Sequence, residues 1–152
     1  MDFTKSKHFW RLPVYLFYAT LVFGSFSMDI FSIIGTAIAA AGVVLYYLSR
    51  RELGKNYSSS PSIARGHVLV TTGPFRYVRH PGYVGSFLAM LGFIMISKSA
   101  ASLAFCLLVC VPFGFYKIRY EEKMLLEKFG KRFVVYRKRV SKVFPRIANL
   151  SL

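Results

Sequence analysis

The sequence predicts an all-α, multi-pass membrane helix bundle with amphipathic cytoplasmic helices at its C-terminal end, and three observations lead there. Hydrophobic residues make up 55% of the 152 residues, and mean hydropathy is +0.44, high for a soluble domain of this size. Uncharged runs at residues 12–28, 30–49, 81–97 and 99–116 hold 17, 20, 17 and 18 residues. At about 1.5 Å rise per residue each spans roughly 25 to 30 Å, near the thickness of bilayer hydrocarbon, so four spans in one domain are the simplest count. Lys and Arg alternate by side: three precede the first run, six lie between the second and third, eleven follow the fourth, and only Lys98 lies elsewhere. This positive-inside pattern predicts that both termini and the 50–80 loop are cytoplasmic, with the short turns at Asp29 and Lys98 outside. It also accounts for the net charge of +15 by attraction to anionic lipid, so nucleic acid is set aside as a partner.

The first run follows Lys5, Lys7 and Arg11, as a signal peptide would. It lacks an Ala-x-Ala cleavage site and leads through "FGSFSMD" into the second run, so it is expected to be a membrane helix. After the second span, "NYSSSPS" marks a loop, and "ARGHVLVTTGP" reads as a short extended piece ending in a turn at Gly73-Pro74. The third span starts at Pro81-Gly82, where proline suits a first helical turn. Ser97, Lys98 and Ser99 can close a tight hairpin with the fourth span, which Pro112 should kink. Cys106 and Cys110, four apart with no His or carboxylate beside them, are expected to pack as small apolar residues and not to bind metal. Beyond Tyr116, Leu125, Phe129, Phe133, Tyr136 and Val140 recur at steps of three or four, giving an apolar stripe under a basic face that Gly130 interrupts. The expected cytoplasmic segments are 50–80 and 117–146.

The chemistry-bearing residues gather at two helix exits. Arg76, Tyr77, Arg79, His80 and Tyr83 crowd the start of the third span, and Glu121 and Glu122 lie just past the end of the fourth. A hairpin of the last two spans would set these exits side by side as an interfacial pocket. Each residue also has an ordinary structural role available. The arginines and tyrosines suit the phosphate level and aromatic belt of a bilayer. Glu121 could pair with Lys117, Glu122 with Arg119, and His80 could serve as a hydrogen-bonding helix start. Glu127, flanked by Lys123 and Lys131, is left out of the site.

In combination and order, "GHVLVTTGPFRYVRHPGYVGSFL" followed by "RYEEKMLLEKFGKRFVVYRKRVSKVFP" resembles the integral-membrane methyltransferases that include isoprenylcysteine carboxyl methyltransferase and the related phospholipid methyltransferases. The resemblance covers roughly residues 50–146. It implies S-adenosylmethionine as cofactor, bound on the cytoplasmic side and covered by the C-terminal helices. It implies cofactor-binding positions at His67, Val68, Leu69, Val70, Phe75, His80, Pro81, Gly82, Tyr83 and Glu121. A basic residue that holds the substrate corresponds to Lys117, where Arg is common, with Arg119 as its possible substitute for bidentate recognition of a carboxylate. The implied partner is a lipidic or prenylated small molecule within a membrane.

Elementary chemistry fits the same residues. The cofactor's ammonium wants a carboxylate such as Glu121, and its carboxylate wants Arg79, His80 or backbone donors at a helix start. Its adenine wants apolar and aromatic walls such as Leu69, Phe75 and Tyr83. No G-x-G occurs anywhere, so a soluble dinucleotide-type loop is absent from the sequence. The expected reaction is direct displacement at the sulfonium methyl, with Arg79, His80 and Glu122 as the candidates for the chemistry. A carboxylate acceptor is already ionised at neutral pH and needs no base. A phospholipid amine must lose a proton first, to Glu122 or His80. The competing classes are an NADPH-dependent sterol-type membrane reductase and a non-enzymatic membrane protein.

Overall fold

The computed structural model describes residues 9–57 and 68–145. Their regular structure is helical: α1 (Leu12–Thr20), α2 (Ile30–Leu53), α3 (Pro81–Ser97), α4 (Ala100–Phe105), α5 (Val111–Phe129) and α6 (Lys131–Arg139). One isolated parallel bridge joins Val78 to Ser141, and no strand forms among the described residues.

The run 12–28 does not become one long helix. After α1 a 3₁₀ turn, Leu21–Phe23, ends at Gly24, which is extended at φ −95° and ψ 165°. Gly24 lies against the end of α3 so closely that a Cβ there would stand 2.3 Å from the Ser97 carbonyl oxygen. Close approach to α3 thus stops the helix short. In contrast, α2 outruns its uncharged segment. Asp29 caps it by accepting from the Ser32 N–H at 3.0 Å, and the helix continues to Leu53, with Arg50 and Arg51 in its last turn opposite the negative end of the dipole. It stops at Gly54, whose φ of +49° suits a residue without a side chain.

α3 occupies the predicted 81–97. Lys98 turns left-handed at φ +49°, and Ser99 caps α4 by accepting from the Ser102 N–H at 3.1 Å. The Lys98 ammonium reaches both Asp29 and Ser27, so the two short connections meet at one end of the bundle. From Ala100 the chain rises as one rod to Phe129, with a π turn at Cys106–Cys110 ahead of Pro112. A proline has no N–H for the carbonyl one turn back, and the wider turn is how this helix accommodates the break. Cys106 and Cys110 are unbridged and buried with Phe17, Met90 and Ile94.

The tightest packing lies between α2 and α3. Gly35, Ala39 and Gly42 face Gly85, Ala89 and Gly92. An added Cβ on Gly92 would come within 2.4 Å of the Gly35 carbonyl oxygen, and one on Gly42 within 2.4 Å of the Ala89 nitrogen. The backbones therefore touch, as in membrane helix pairs built on small residues. Large apolar side chains face outward instead, including Phe31, Ile33, Val43 and Val44 on α2 and Leu103, Leu107 and Leu108 on the rod. Ile30–Asn56 and Ala100–Phe129 are long and apolar enough to cross a membrane, whereas Leu12–Phe23 and Pro81–Ser97 are apolar but shorter.

A methyl group in the α2–α3 seam should force the helices apart. Gly92→Ala is expected to cost about 1 to 3 kcal/mol despite alanine's better helix propensity, read as a lowered thermal midpoint in detergent. Gly82→Ala, whose Cβ would meet nothing nearer than Ser49 at 3.8 Å, should leave the midpoint within a degree or two of the original.

Candidate functional site

The loop before α3 is held from behind by the C-terminal part of the chain. A 3₁₀ turn at Gly73–Arg76 carries Phe75 into the interior, and Tyr136 of α6 donates its hydroxyl to the Phe75 carbonyl at 2.7 Å. The Arg79 N–H donates to the Ser141 carbonyl at 2.8 Å, and the His80 N–H to the Lys142 carbonyl at 3.1 Å. This strap is seated by Phe133, Tyr136 and Val140, which are buried together and packed against Leu69, Leu125 and Phe129. Gly130, at φ +50°, separates α5 from α6 and lets the stripe fold back over the loop.

At the centre is a buried charge network. Arg79 donates from Nε at 3.0 Å and Nη2 at 2.7 Å to the same oxygen of Glu122, Oε1. Its Nη1 donates to the carbonyls of Arg137, at 3.1 Å, and Val140. The same Glu122 oxygen lies 3.2 Å from His80 Nε2, and Lys142 Nζ lies 3.4 Å from Oε2. Arg79, His80 and Glu122 are each under 9% exposed. Burial alone would raise the Glu122 carboxyl, but the hydrogen bonds from His80 and Arg79 outweigh it and hold the group down at about 2. Glu122 is in the charged part of the rod, beyond the apolar stretch that ends at Tyr116.

Its neighbour Glu121 has a different environment. Its Oε1 accepts from the Tyr83 hydroxyl at 2.6 Å, and Oε2 is 3.9 Å from His80 Nδ1. The carboxylate keeps 25% of its side chain exposed and lines a cavity of about 600 Å³ between α1, α2, α3 and α5. Charged and polar groups at one part of this cavity include Arg50, His80, Tyr83, Lys117 and Glu121, while Phe87, Met90 and Cys110 line its interior within the bundle. The Lys117 ammonium stands 5.5 Å from the Tyr83 ring and 5.8 Å from that of Trp10. A second, 60 Å³ cavity adjoins the first and shares Leu53, Phe75, Arg79, His80 and Leu125 with it.

These positions sort the residues singled out in the sequence. His80, Gly82, Tyr83, Lys117, Glu121, Phe75 and Arg79 line the large cavity. Val68, Leu69 and Val70 line the small one, behind the wall formed by Phe75, Arg79 and His80. Pro81 is fully buried at the start of α3 and borders neither. His67 lies outside the described residues. Arg119 is exposed and reaches neither cavity. The expected helical pairing of Glu122 with Arg119 is replaced by the longer-range bonds to Arg79 and His80. The oxygens of Glu122 are engaged by Arg79, His80 and Lys142, and a carboxylate held at about 2 is a poor proton acceptor at neutral pH. Nor is Arg79 a free anion receptor, since Glu122 and two carbonyls take most of its donors. Through these bonds both tie His80 and the loop to the rod and the strap.

Several groups that no sequence motif marked also gather here. Trp10, Tyr46, Arg50 and Tyr57 line the large cavity, and Lys142 completes the Glu122 network. The Tyr46–Arg50 spacing of one helical turn was a usable signal for part of this set. Among the described residues no cluster of metal-ligating side chains occurs.

The fold and site define a class: an all-helical protein with membrane-length apolar helices and a cavity that joins a charged mouth to an apolar interior. Residues 30–132 match the family described as phospholipid methyltransferase. The chain is 35% identical over 148 residues to the protein-S-isoprenylcysteine O-methyltransferase of Schizosaccharomyces pombe, covering 96% of this chain and 60% of that protein. It is 27% identical to the Saccharomyces cerevisiae protein of the same name, with coverage of 81% and 52%, and 28% identical to the human one, with coverage of 80% and 43%. It therefore belongs to the phospholipid methyltransferase family, and that membership with its apolar helices associates it with a membrane. The chain spans about half the length of these relatives, between 43% and 60%.

Breaking the buried pair from either side should be severe. Glu122→Gln or Arg79→Lys is expected to cost about 3 to 5 kcal/mol, because the remaining partner stays buried without full compensation, measured by denaturation in detergent. Since the Glu122 carboxyl is held at about 2 against an ordinary 4.5, the unfolded chain takes up that proton first on acidification. Its stabilisation is complete above about pH 4.5 and declines as pH falls towards 2. A stability profile of Glu122→Gln should lack that acid limb.

Proposed function

We propose that this chain transfers a methyl group from S-adenosylmethionine to a lipid-linked acceptor, and that the acceptor is the carboxylate of an S-prenylated cysteine or a close chemical relative. One observation carries the reading. A single cavity joins a mouth with Glu121, His80, Tyr83 and Lys117 to an interior lined by Phe87, Met90 and Cys110, so a charged water-soluble cofactor and an apolar acceptor can meet in it. The activity that names the isoprenylcysteine relatives supports the choice of acceptor, and the family match leaves the nicotinamide-dependent reductase without support.

The residues present fit the cofactor. S-adenosylmethionine, when bound, supplies an electrophilic methyl on a sulfonium. Glu121, fixed by Tyr83 yet still partly exposed, is suited to an ammonium. Leu53, Phe75 and Leu125 supply apolar wall for a purine. Arg79 and Glu122 hold His80 and the loop in place, and the bundle excludes water from the reacting centre. A carboxylate acceptor arrives ionised and asks no base of the protein. That suits a site whose most buried carboxylate is already committed to Arg79, and it favours the carboxylate over a phospholipid amine. In this reading the four apolar helical segments all lie in the bilayer, α1 and α3 at partial depth or tilt, with the Lys98–Asp29 end outside and the cavity mouth, the strap and both termini cytoplasmic.

Calorimetric titration of the detergent-solubilised protein with S-adenosylmethionine and with S-adenosylhomocysteine tests this, using NADPH as the control. Micromolar binding of the adenosyl compounds is expected, with Glu121→Gln weakening it by about 1 to 3 kcal/mol. Unchanged affinity in a folded Glu121→Gln protein would remove that residue from the site. A folded wild type that binds neither adenosyl compound would end the methyltransferase reading.

A further inference from the structure

We infer that Arg50, at the end of α2, is the residue that receives the acceptor's carboxylate and so sets its specificity, an assignment that rests on the methyltransferase reading above. Four cations line the large cavity: Arg11, Arg50, Arg79 and Lys117. Arg79 is committed to Glu122 and to the Arg137 and Val140 carbonyls. Lys117 is a point charge set against the Trp10 and Tyr83 rings and cannot offer a two-pronged donor set. Two guanidinium groups remain, and among the described residues aromatic rings lie under one of them, Arg50.

The Arg50 guanidinium lies 4.2 Å from the centre of the Tyr57 ring and 5.8 Å from that of Tyr46. The two tyrosine hydroxyls are 3.1 Å apart in a mutual hydrogen bond, which fixes the rings under the cation. A guanidinium held over an aromatic face keeps its N–H groups directed outward from its edge, the arrangement that grips a carboxylate bidentately. Among the described residues the Arg50 side chain donates to no carboxylate or carbonyl, so that edge is open to the cavity mouth. Arg11, by contrast, has no aromatic ring beneath it among the described residues. α2 thus brings to the cavity the planar cation that the α5 position, a lysine here, does not provide.

The test measures binding of N-acetyl-S-farnesylcysteine and of its neutral primary amide to the full chain in detergent, with S-adenosylhomocysteine titrated separately. The wild type should prefer the acid over the amide about 10- to 100-fold, the range for a charge-assisted pair. Arg50→Gln should reduce that preference to near unity while still binding S-adenosylhomocysteine. Arg50→Lys should recover part of it, and Arg11→Gln should retain it. An acid preference that survives Arg50→Gln, or that Arg11→Gln abolishes, would overturn the assignment, as would a wild type that binds acid and amide alike. Failure of the underlying reading looks different, because the wild type would then not bind S-adenosylhomocysteine at all.

Discussion

A buried network, the Arg79–Glu122 ion pair with the His80 ring against it, is the constraint on which the rest of the site depends. Burying a guanidinium and a carboxylate costs free energy that is offset only if nearly every donor and acceptor is matched. The matching partners come from distant parts of the sequence: the loop before α3, the charged end of α5 and the strap after α6. All three must therefore be in place together. The strap's carbonyls also take the N–H groups of Arg79 and His80, and Pro81, which has no N–H, leaves one fewer orphan donor at a helix start where His80 supplies no side-chain cap.

A second constraint fixes the other side of the cavity. Because α2 and α3 meet backbone to backbone through glycine and alanine, their separation is set by main-chain atoms and not by adjustable side chains. The close contact brings Ser49 and Tyr46 to within 3.8 and 4.0 Å of where a Gly82 side chain would begin. Arg50, one residue beyond Ser49, is thereby carried to the same cavity as the motif residues of α3. The open volume is left between this rigid pair and the helices α1 and α5.

Two adjacent carboxylates illustrate how geometry divides labour. Glu121 and Glu122 are consecutive, but one step along a helix turns the side chain by about 100°. Glu122 points into the network and is held as a permanent anion, with a structural task. Glu121 points to the cavity and stays partly exposed, tied only by Tyr83 and near His80. Of the two, Glu121 is the one that presents a solvent-accessible carboxylate to the cavity.

Much of this was legible in the sequence because it depends on local pattern. The apolar runs gave the helical class, Pro81 and the 97–99 turn gave the boundaries of α3, and the 125–140 stripe gave the residues that seat the strap. The crowding of Arg79, His80 and Tyr83 at one exit and of Glu121 and Glu122 at the other marked residues that the fold brings into contact. Run length alone misjudged α1, whose end is set by contact with Ser97, and α2, which continues through charged residues because its last turn favours them. The partners of Glu122, the saturation of Arg79, the exclusion of Arg119 and the arrival of Arg50 were decided by tertiary structure alone. Each depends on which side chains meet across many residues of sequence, and a charge has no fixed role until burial and its neighbours determine whether its bonds are already used.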